Sequence, residues 1–222
     1  MQRNSELLVV FDLDGTLVNS KNHIGNATNV VREKFGLKKA SNSALNQWFG
    51  KPPSRFFSEL NDLETDQAVK DFRKLLSETK HLVEVMPGTI KLLSYLKSKE
   101  VVIGIATTKP THLANEILSH INLISFFDIV QGSELVQPKP SSDVFLLLES
   151  KLVRIPNRKF AIGDRVSDMK ASISVGYHST LLNSFVAEIK DEGFSLSLKR
   201  RYNRVSTLHQ YETRLRTLLE SR

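Results

Sequence analysis

The chain has 222 residues, 40% of them hydrophobic, and a formal net charge of +7 at neutral pH, which fits one large domain or one domain with a smaller insert around a sizeable core. It contains no cysteine, so disulfides and thiolate chemistry are excluded. No stretch approaches the roughly 18 apolar residues of a membrane span, and with no apolar leader ahead of a small-residue cleavage site the expected compartment is the cytoplasm.

The first predicted element is a short buried strand over Leu7–Phe11, and it runs into Asp12-Leu13-Asp14-Gly15-Thr16-Leu17. Residues two apart on an extended chain point to the same side, so Asp12 and Asp14 face one pocket. Gly15 then allows a sharp turn. Two carboxylates this close need a cation or a shared proton between them. A hard divalent cation such as Mg²⁺ suits them, because it takes oxygen ligands and commonly joins carboxylates to a substrate phosphate.

Residues 20–85 break the strand rhythm. Helical patterns are predicted near 23–35, 43–48, 53–60 and 66–83, the last with Val69, Phe72, Leu75, Leu76, Thr79, Leu82 and Val83 at helical spacing and Asp66 near its N-terminus. This segment reads as a small all-helical insert, with Met86-Pro87-Gly88 as the turn back into the main domain. Within it, Trp48 reads as core and His23 as a surface or packing residue.

Beyond the insert, four more apolar runs read as buried parallel strands: 101–107, 129–131, 160–163 and 179–182. Helical patterns at 89–98, 111–121, 141–152 and 166–175 alternate with them. The expected fold is α/β, a doubly wound parallel sheet of Rossmann type with right-handed crossovers and an inserted helical unit. The expected division is 1–19 with 86–222 as the core and 20–85 as the insert.

Three further motifs lie at the ends of these strands. Thr107-Thr108-Lys109 puts a hydroxyl where ligands bind in such sheets. Gln137-Pro138-Lys139-Pro140 holds one ammonium between two prolines that fix φ, suiting it to neutralise charge developing on a phosphoryl group. Gly163-Asp164-Arg165-Val166-Ser167-Asp168 brings two more carboxylates to the same sheet edge, the second about one helical turn on. Together the four aspartates make an oxygen-rich site for Mg²⁺. Residues 199–222 then carry Lys199, Arg200, Arg201, Arg204, Arg214, Arg216 and Arg222 against Glu212 and Glu220. This basic tail reads as a solvated terminal helix, and a nucleic-acid partner is not expected from it.

In their order, these four motifs resemble the signatures of the haloacid dehalogenase-like superfamily, in particular its phosphoglycolate phosphatase-like members with a helical cap. The resemblance covers the chain to about residue 183 and fades in the basic tail. It implies that Asp12 is the nucleophile, Asp14 the general acid/base, and Lys139 the bridge between nucleophile and phosphate. It further implies Thr107 and Thr108 as phosphate-binding residues with Lys139, and Asp12, Asp14, Asp164 and Asp168 as the Mg²⁺ site. Gly50, Lys51 and Arg55, in Trp48-Phe49-Gly50-Lys51-Pro52-Pro53-Ser54-Arg55, match the cap loop that sets specificity. Thr108, Arg165 and Asn19 depart from residues frequent in close relatives.

The implied activity is Mg²⁺-dependent hydrolysis of a small phosphomonoester, phosphoglycolate-like or a sugar phosphate, through an aspartyl-phosphate. The alternatives are a phosphomutase of the β-phosphoglucomutase type and a non-catalytic binding protein on the same scaffold. A phosphonoacetaldehyde-type hydrolase would need a Schiff-base lysine in the cap, for which Lys51 is available but otherwise unsupported. Dehalogenation is disfavoured, because family members that cleave carbon–halogen bonds lack the second aspartate kept here as Asp14. The expected partner is a small anionic phosphorylated substrate, with no membrane, and the expected state is a monomer or homodimer.

Overall fold

The computed structural model describes residues 6–183 and 201–220. Strand β1 (Leu7–Phe11) is apolar at every position and buried at every position, as a strand covered on both faces must be. Its residues alternate between two cores. Leu7, Val9 and Phe11 join one cluster, and Leu8 and Val10 the other.

The same alternation recurs in β4 (Val102–Ala106) and β6 (Arg158–Gly163). With β5 (Ile129–Gln131), β7 (His178–Leu182) and β8 (Tyr202–Val205) they form a parallel six-stranded sheet in the order β5-β4-β1-β6-β7-β8. On one face, helices α4 (Thr89–Ser98) and α5 (Thr111–His120) bury Leu92, Leu93, Leu96, Ala114, Ile117 and Leu118. On the other, α6 (Asp143–Ser150) and α7 (Val166–Ser174) bury Val144, Phe145, Leu148 and Ala171. The chain passes from β1 to β4 on one side and later returns to β6 on the other. The carboxyl end of β1 is therefore the switch point of the sheet, where a crevice opens.

The helical insert packs around its own core. Helices α1 (Lys21–Lys34), α2 (Asn42–Trp48) and α3 (Asp62–Glu78), with a 3-10 turn at Pro53–Phe57, surround Ile24, Val31, Phe56, Phe57, Phe72 and Leu76. Trp48 stacks on Phe56 with ring centroids 5.9 Å apart. Helix α3 starts earlier than its apolar spacing suggests. Asn61 and Glu64 form a capping box that fixes the first turn at Asp62, so Asp66 lies in the second turn, and the helix stops at Glu78 before a 3-10 turn at Lys80–Leu82. His23 is buried, and its Nε2 donates to Thr79 Oγ1 at 2.9 Å, since that hydroxyl already donates to Leu75 O. Burial, reinforced by the nearby Lys109 charge, pushes its pKa down to about 4, so the ring is neutral.

No strand is expected within 20–85, yet its last two residues are extended and pair with the two residues just before the insert. Strand β2 (Val18–Asn19) pairs antiparallel with β3 (Glu84–Val85), a narrow two-stranded link to the sheet domain. Asn19 spans this link, its Nδ2 reaching Glu84 Oε2 of β3 at 3.5 Å, while its side-chain oxygen accepts from Lys21 N at the start of α1 at 3.4 Å.

The basic C-terminal segment differs more. Instead of a solvated helix it supplies β8 and helix α8 (Leu208–Glu220), which lays Leu208, Tyr211 and Leu215 into the larger core. Its charges sit at the margins of that contact. Arg216 pairs with Glu212 at 2.7 Å and covers the ring of Tyr95, while Arg214 donates to Asn203 Oδ1 at 2.7 Å. Lys199, Arg200 and Arg222 lie outside the described residues. Among those described, no helix is long and apolar enough to cross a membrane. We predict that Leu215→Ala lowers unfolding free energy by about 2–4 kcal/mol, and that exposed Arg214→Ala stays within about 0.5 kcal/mol, both measured by urea denaturation.

Candidate active site

Four strand ends converge at the switch point. Asp12 follows β1 directly, and its amide is held by Ile162 O of β6 at 2.9 Å. Thr107 follows β4, with its amide held by Gln131 O of β5 at 3.0 Å. Asp164 follows β6, and Asp168 occupies the first turn of α7. Lys139 reaches in from the loop between β5 and α6.

Lys139 is the centre of the arrangement. Its ammonium is buried and donates to Asp12 Oδ1 at 2.6 Å, to Ala106 O at 3.0 Å, and to Asp168 Oδ1 through a short contact. All three ammonium protons are thus engaged. Burial alone would lower its pKa, but the carboxylates of Asp12 and Asp168 outweigh burial and hold it above the ordinary lysine value. Asp168 Oδ2 accepts from the Arg165 amide at 2.9 Å, so both its oxygens are occupied.

Two glycines permit these approaches. A Cβ on Gly15, where φ is +89°, would overlap the Asp164 carboxylate, and one on Gly163 would overlap that of Asp168.

Oxygens of Asp12, Asp164 and Asp168 lie within 4.8 Å of one another. Burial raises the pKa of Asp12 well above the carboxylate norm, with Lys139 opposing the rise and Asp168 and Asp164 adding to it. Burial likewise pushes Asp164 up to about 7, against the pull of Arg165. More negative charge is therefore desolvated here than the protein's own cations offset. Asp164 Oδ1 and Asp14 Oδ1 are buried without a hydrogen-bond partner. An all-oxygen donor set with unsatisfied carboxylate atoms fits a hard divalent cation.

Of the residues singled out in the sequence, Asp12, Lys139, Asp164 and Asp168 meet in one cluster. Asp14 stands beside it, turned toward Lys109, whose buried Nζ is 3.3 Å from Asp14 Oδ2. Thr107 is buried at the end of β4, with Oγ1 accepting from Lys109 N at 3.2 Å, and Thr108 is half-buried. In the cap loop, Gly50 approaches the Arg165 side chain, while Lys51 and Arg55 are exposed. Sequence reasoning missed the partnership of Lys109 with Asp14. The only available signal was a lysine two residues past a phosphate-binding candidate, and lysines at loop starts are ordinarily solvated.

Comparison with known proteins identifies the family of the chain. The sequence model of the haloacid dehalogenase-like hydrolases matches residues 9–182. The chain is 28% identical over 186 residues to phosphoglycolate phosphatase 1 of Pseudomonas aeruginosa, covering 79% of this chain and 68% of that protein. It is 28% identical over 175 residues to a phosphorylated carbohydrates phosphatase of Thermotoga maritima, covering 76% and 81%. A haloacid dehalogenase-like family hydrolase from Streptococcus pneumoniae superposes with a TM-score of 0.79 at 25% identity, covering 94% of this chain and 98% of that one.

Replacing Lys139 removes one partner of a buried ion pair, which typically costs about 3–5 kcal/mol. Because its folded pKa is raised, the titration of Lys139 itself takes nothing from this contribution below the ordinary lysine value of 10.5. Lys139→Met is predicted to lose that amount at pH 7 in chelator. The loss should shrink in acid as the stranded Asp12 carboxylate, whose pKa burial already raises, takes up a proton, and guanidinium denaturation at a series of pH values measures it.

Proposed function

The chain belongs to the haloacid dehalogenase-like hydrolase family, and from that premise we propose that it is a Mg²⁺-dependent phosphatase acting on a small phosphomonoester through an aspartyl-phosphate. The observation that carries this reading is the Lys139 ammonium set between Asp12 and Asp168 at the switch point of the sheet. The pairing keeps one Asp12 oxygen oriented beside a positive charge. An attacking carboxylate needs such an arrangement when its target is an anionic phosphate.

In the proposed reaction, an Asp12 carboxylate oxygen attacks phosphorus in line. The bond from phosphorus to the ester oxygen breaks, and Asp14 delivers a proton to that oxygen as the alcohol leaves. Asp14 then takes a proton from water, whose oxygen attacks the same phosphorus. The acyl-phosphate bond breaks, phosphate departs, and Asp12 is regenerated as a carboxylate. Lys109, beside Asp14, is placed to hold that carboxyl group in position between its two roles. Thr107, the Thr108 backbone and Lys139 would hold phosphate oxygens. Residues 20–85 would act as a cap whose closure excludes water.

Asp12, Asp164 and the Asp14 carbonyl would hold Mg²⁺, with Asp168 completing the acidic cluster and steadying Lys139. The ion supplies charge neutralisation of the phosphate and of Asp12. Phosphatase relatives, including enzymes named for phosphoglycolate and for phosphorylated carbohydrates, support a short phosphorylated substrate.

Phosphate release from a panel of phosphoglycolate, sugar phosphates, nucleotides and an aryl phosphate tests the reading. Release should require Mg²⁺, stop with chelator, and fall by roughly 10³-fold or more in Asp12→Asn. Asp164→Asn should raise the Mg²⁺ concentration needed by about tenfold or more. Wild-type release by Asp12→Asn would remove the nucleophile assignment, and an isomerised sugar phosphate in place of free phosphate would identify a mutase.

A further inference from the structure

Arg165 stands between the acidic cluster and the cap. Its backbone amide is fixed by Asp168 Oδ2 at 2.9 Å, which sets the start of its side chain. Its Nε lies 3.4 Å from Asp164 Oδ2, close enough for an ion pair but too long for a well-made hydrogen bond. The aliphatic stem runs under the cap loop. A Cβ built on Gly50 would sit 3.5 Å from Arg165 Cγ and 3.8 Å from Nε. Gly50 has φ +76°, a conformation that favours glycine, and with no side chain it leaves room for the stem beneath it. The side chain is 37% accessible, and its terminal nitrogens have no hydrogen-bond partner among the described residues.

A guanidinium presents five N–H donors in a rigid fork, and a single loose ion pair leaves most of them unused. Here the stem is bracketed by Gly50, Nε is turned to Asp164, and the remaining donors lie at the seam between cap and core. Asp164, which Arg165 Nε faces at 3.4 Å, has its carboxylate within 4.8 Å of an Asp12 oxygen, so the guanidinium lies within reach of the part of a phosphomonoester that extends from Asp12 toward the cap loop.

We propose that Arg165 is a specificity-determining residue that receives a second anionic group of the substrate, a carboxylate near the phosphoryl ester. A planar carboxylate matches the free fork in bidentate fashion, whereas a hydroxyl or an apolar group in its place leaves the charged donors unpaired in the closed seam. The assignment rests on the phosphatase reading for the position of the phosphoryl group. It adds a core-side receptor to the exposed cap residues Lys51 and Arg55.

The test is calorimetric titration of the full chain carrying Asp12→Asn, which prevents turnover, in Mg²⁺. Two ligands are compared: phosphoglycolate, and hydroxyethyl phosphate, in which an alcohol replaces the carboxylate. Phosphoglycolate should bind at least about tenfold more tightly, the size expected of one charge-assisted pair. Arg165→Gln should bring the ratio close to one, and Arg165→Lys, which keeps the charge without the fork, should retain part of it. A ratio near one with Arg165 present, or a preference that survives Arg165→Gln, overturns the proposal. Phosphate release by the chain with Asp12 intact is read separately. Release without discrimination leaves the phosphatase reading standing and removes the role of Arg165. Arg165-dependent discrimination without release does the reverse, and failure of both esters to bind together with no phosphate release by the chain with Asp12 intact overturns both.

Discussion

A buried ammonium is stable only where carboxylates and carbonyls come to meet it, and at the switch point of this sheet they arrive from separate parts of the chain. Lys139 collects Asp12 from the end of β1, Ala106 O from the end of β4 and Asp168 from the first turn of α7. Removing any of these partners leaves desolvated charge without compensation. The ends of two strands and the start of a helix are thereby fixed relative to one another. In the proposed reaction, that rigidity would let the Asp12 carboxylate act as an aimed nucleophile instead of a mobile surface group.

The remaining structure serves this junction. Two apolar layers bury both faces of β1, so its end cannot drift. The β8–α8 unit extends one of those layers, with Tyr211 packed edge-on against Phe11 immediately before Asp12. The helical insert has its own core and joins the sheet domain through the short β2–β3 ribbon. Under the proposed function, such an assembly would hold the acidic cluster rigid while the insert closes over it to exclude water.

Much of this was legible in the sequence because the signals were strong where burial is complete. Leu7–Phe11 and Val102–Ala106 are apolar throughout, since strands covered on both faces tolerate nothing else. The aspartates and Lys139 stand at strand ends or in the turns beyond, where topology makes polar residues informative. Strand β8 was not legible. Only Tyr202 and Val205 are buried in it, and Arg204 interrupts the pattern. Helix α8 hides Leu208, Tyr211 and Leu215 among arginines that lie along the rim of the contact. The true start of α3 was available in Asn61 and Glu64 but was outweighed by the apolar spacing further on. The pairing of Lys109 with Asp14 and the contact of Arg165 with Gly50 depend on loops meeting in space, which no local pattern encodes.

The central claim is covalent: Asp12 carries the phosphoryl group between two half-reactions. The most direct measurement is acid quenching during turnover of an aryl phosphate, followed by borohydride reduction of any acyl phosphate to the alcohol and peptide mass spectrometry. The account predicts reduction at position 12 alone, dependent on substrate. Turnover with no reduced residue, or with reduction at Asp14, Asp164 or Asp168 instead, would contradict it.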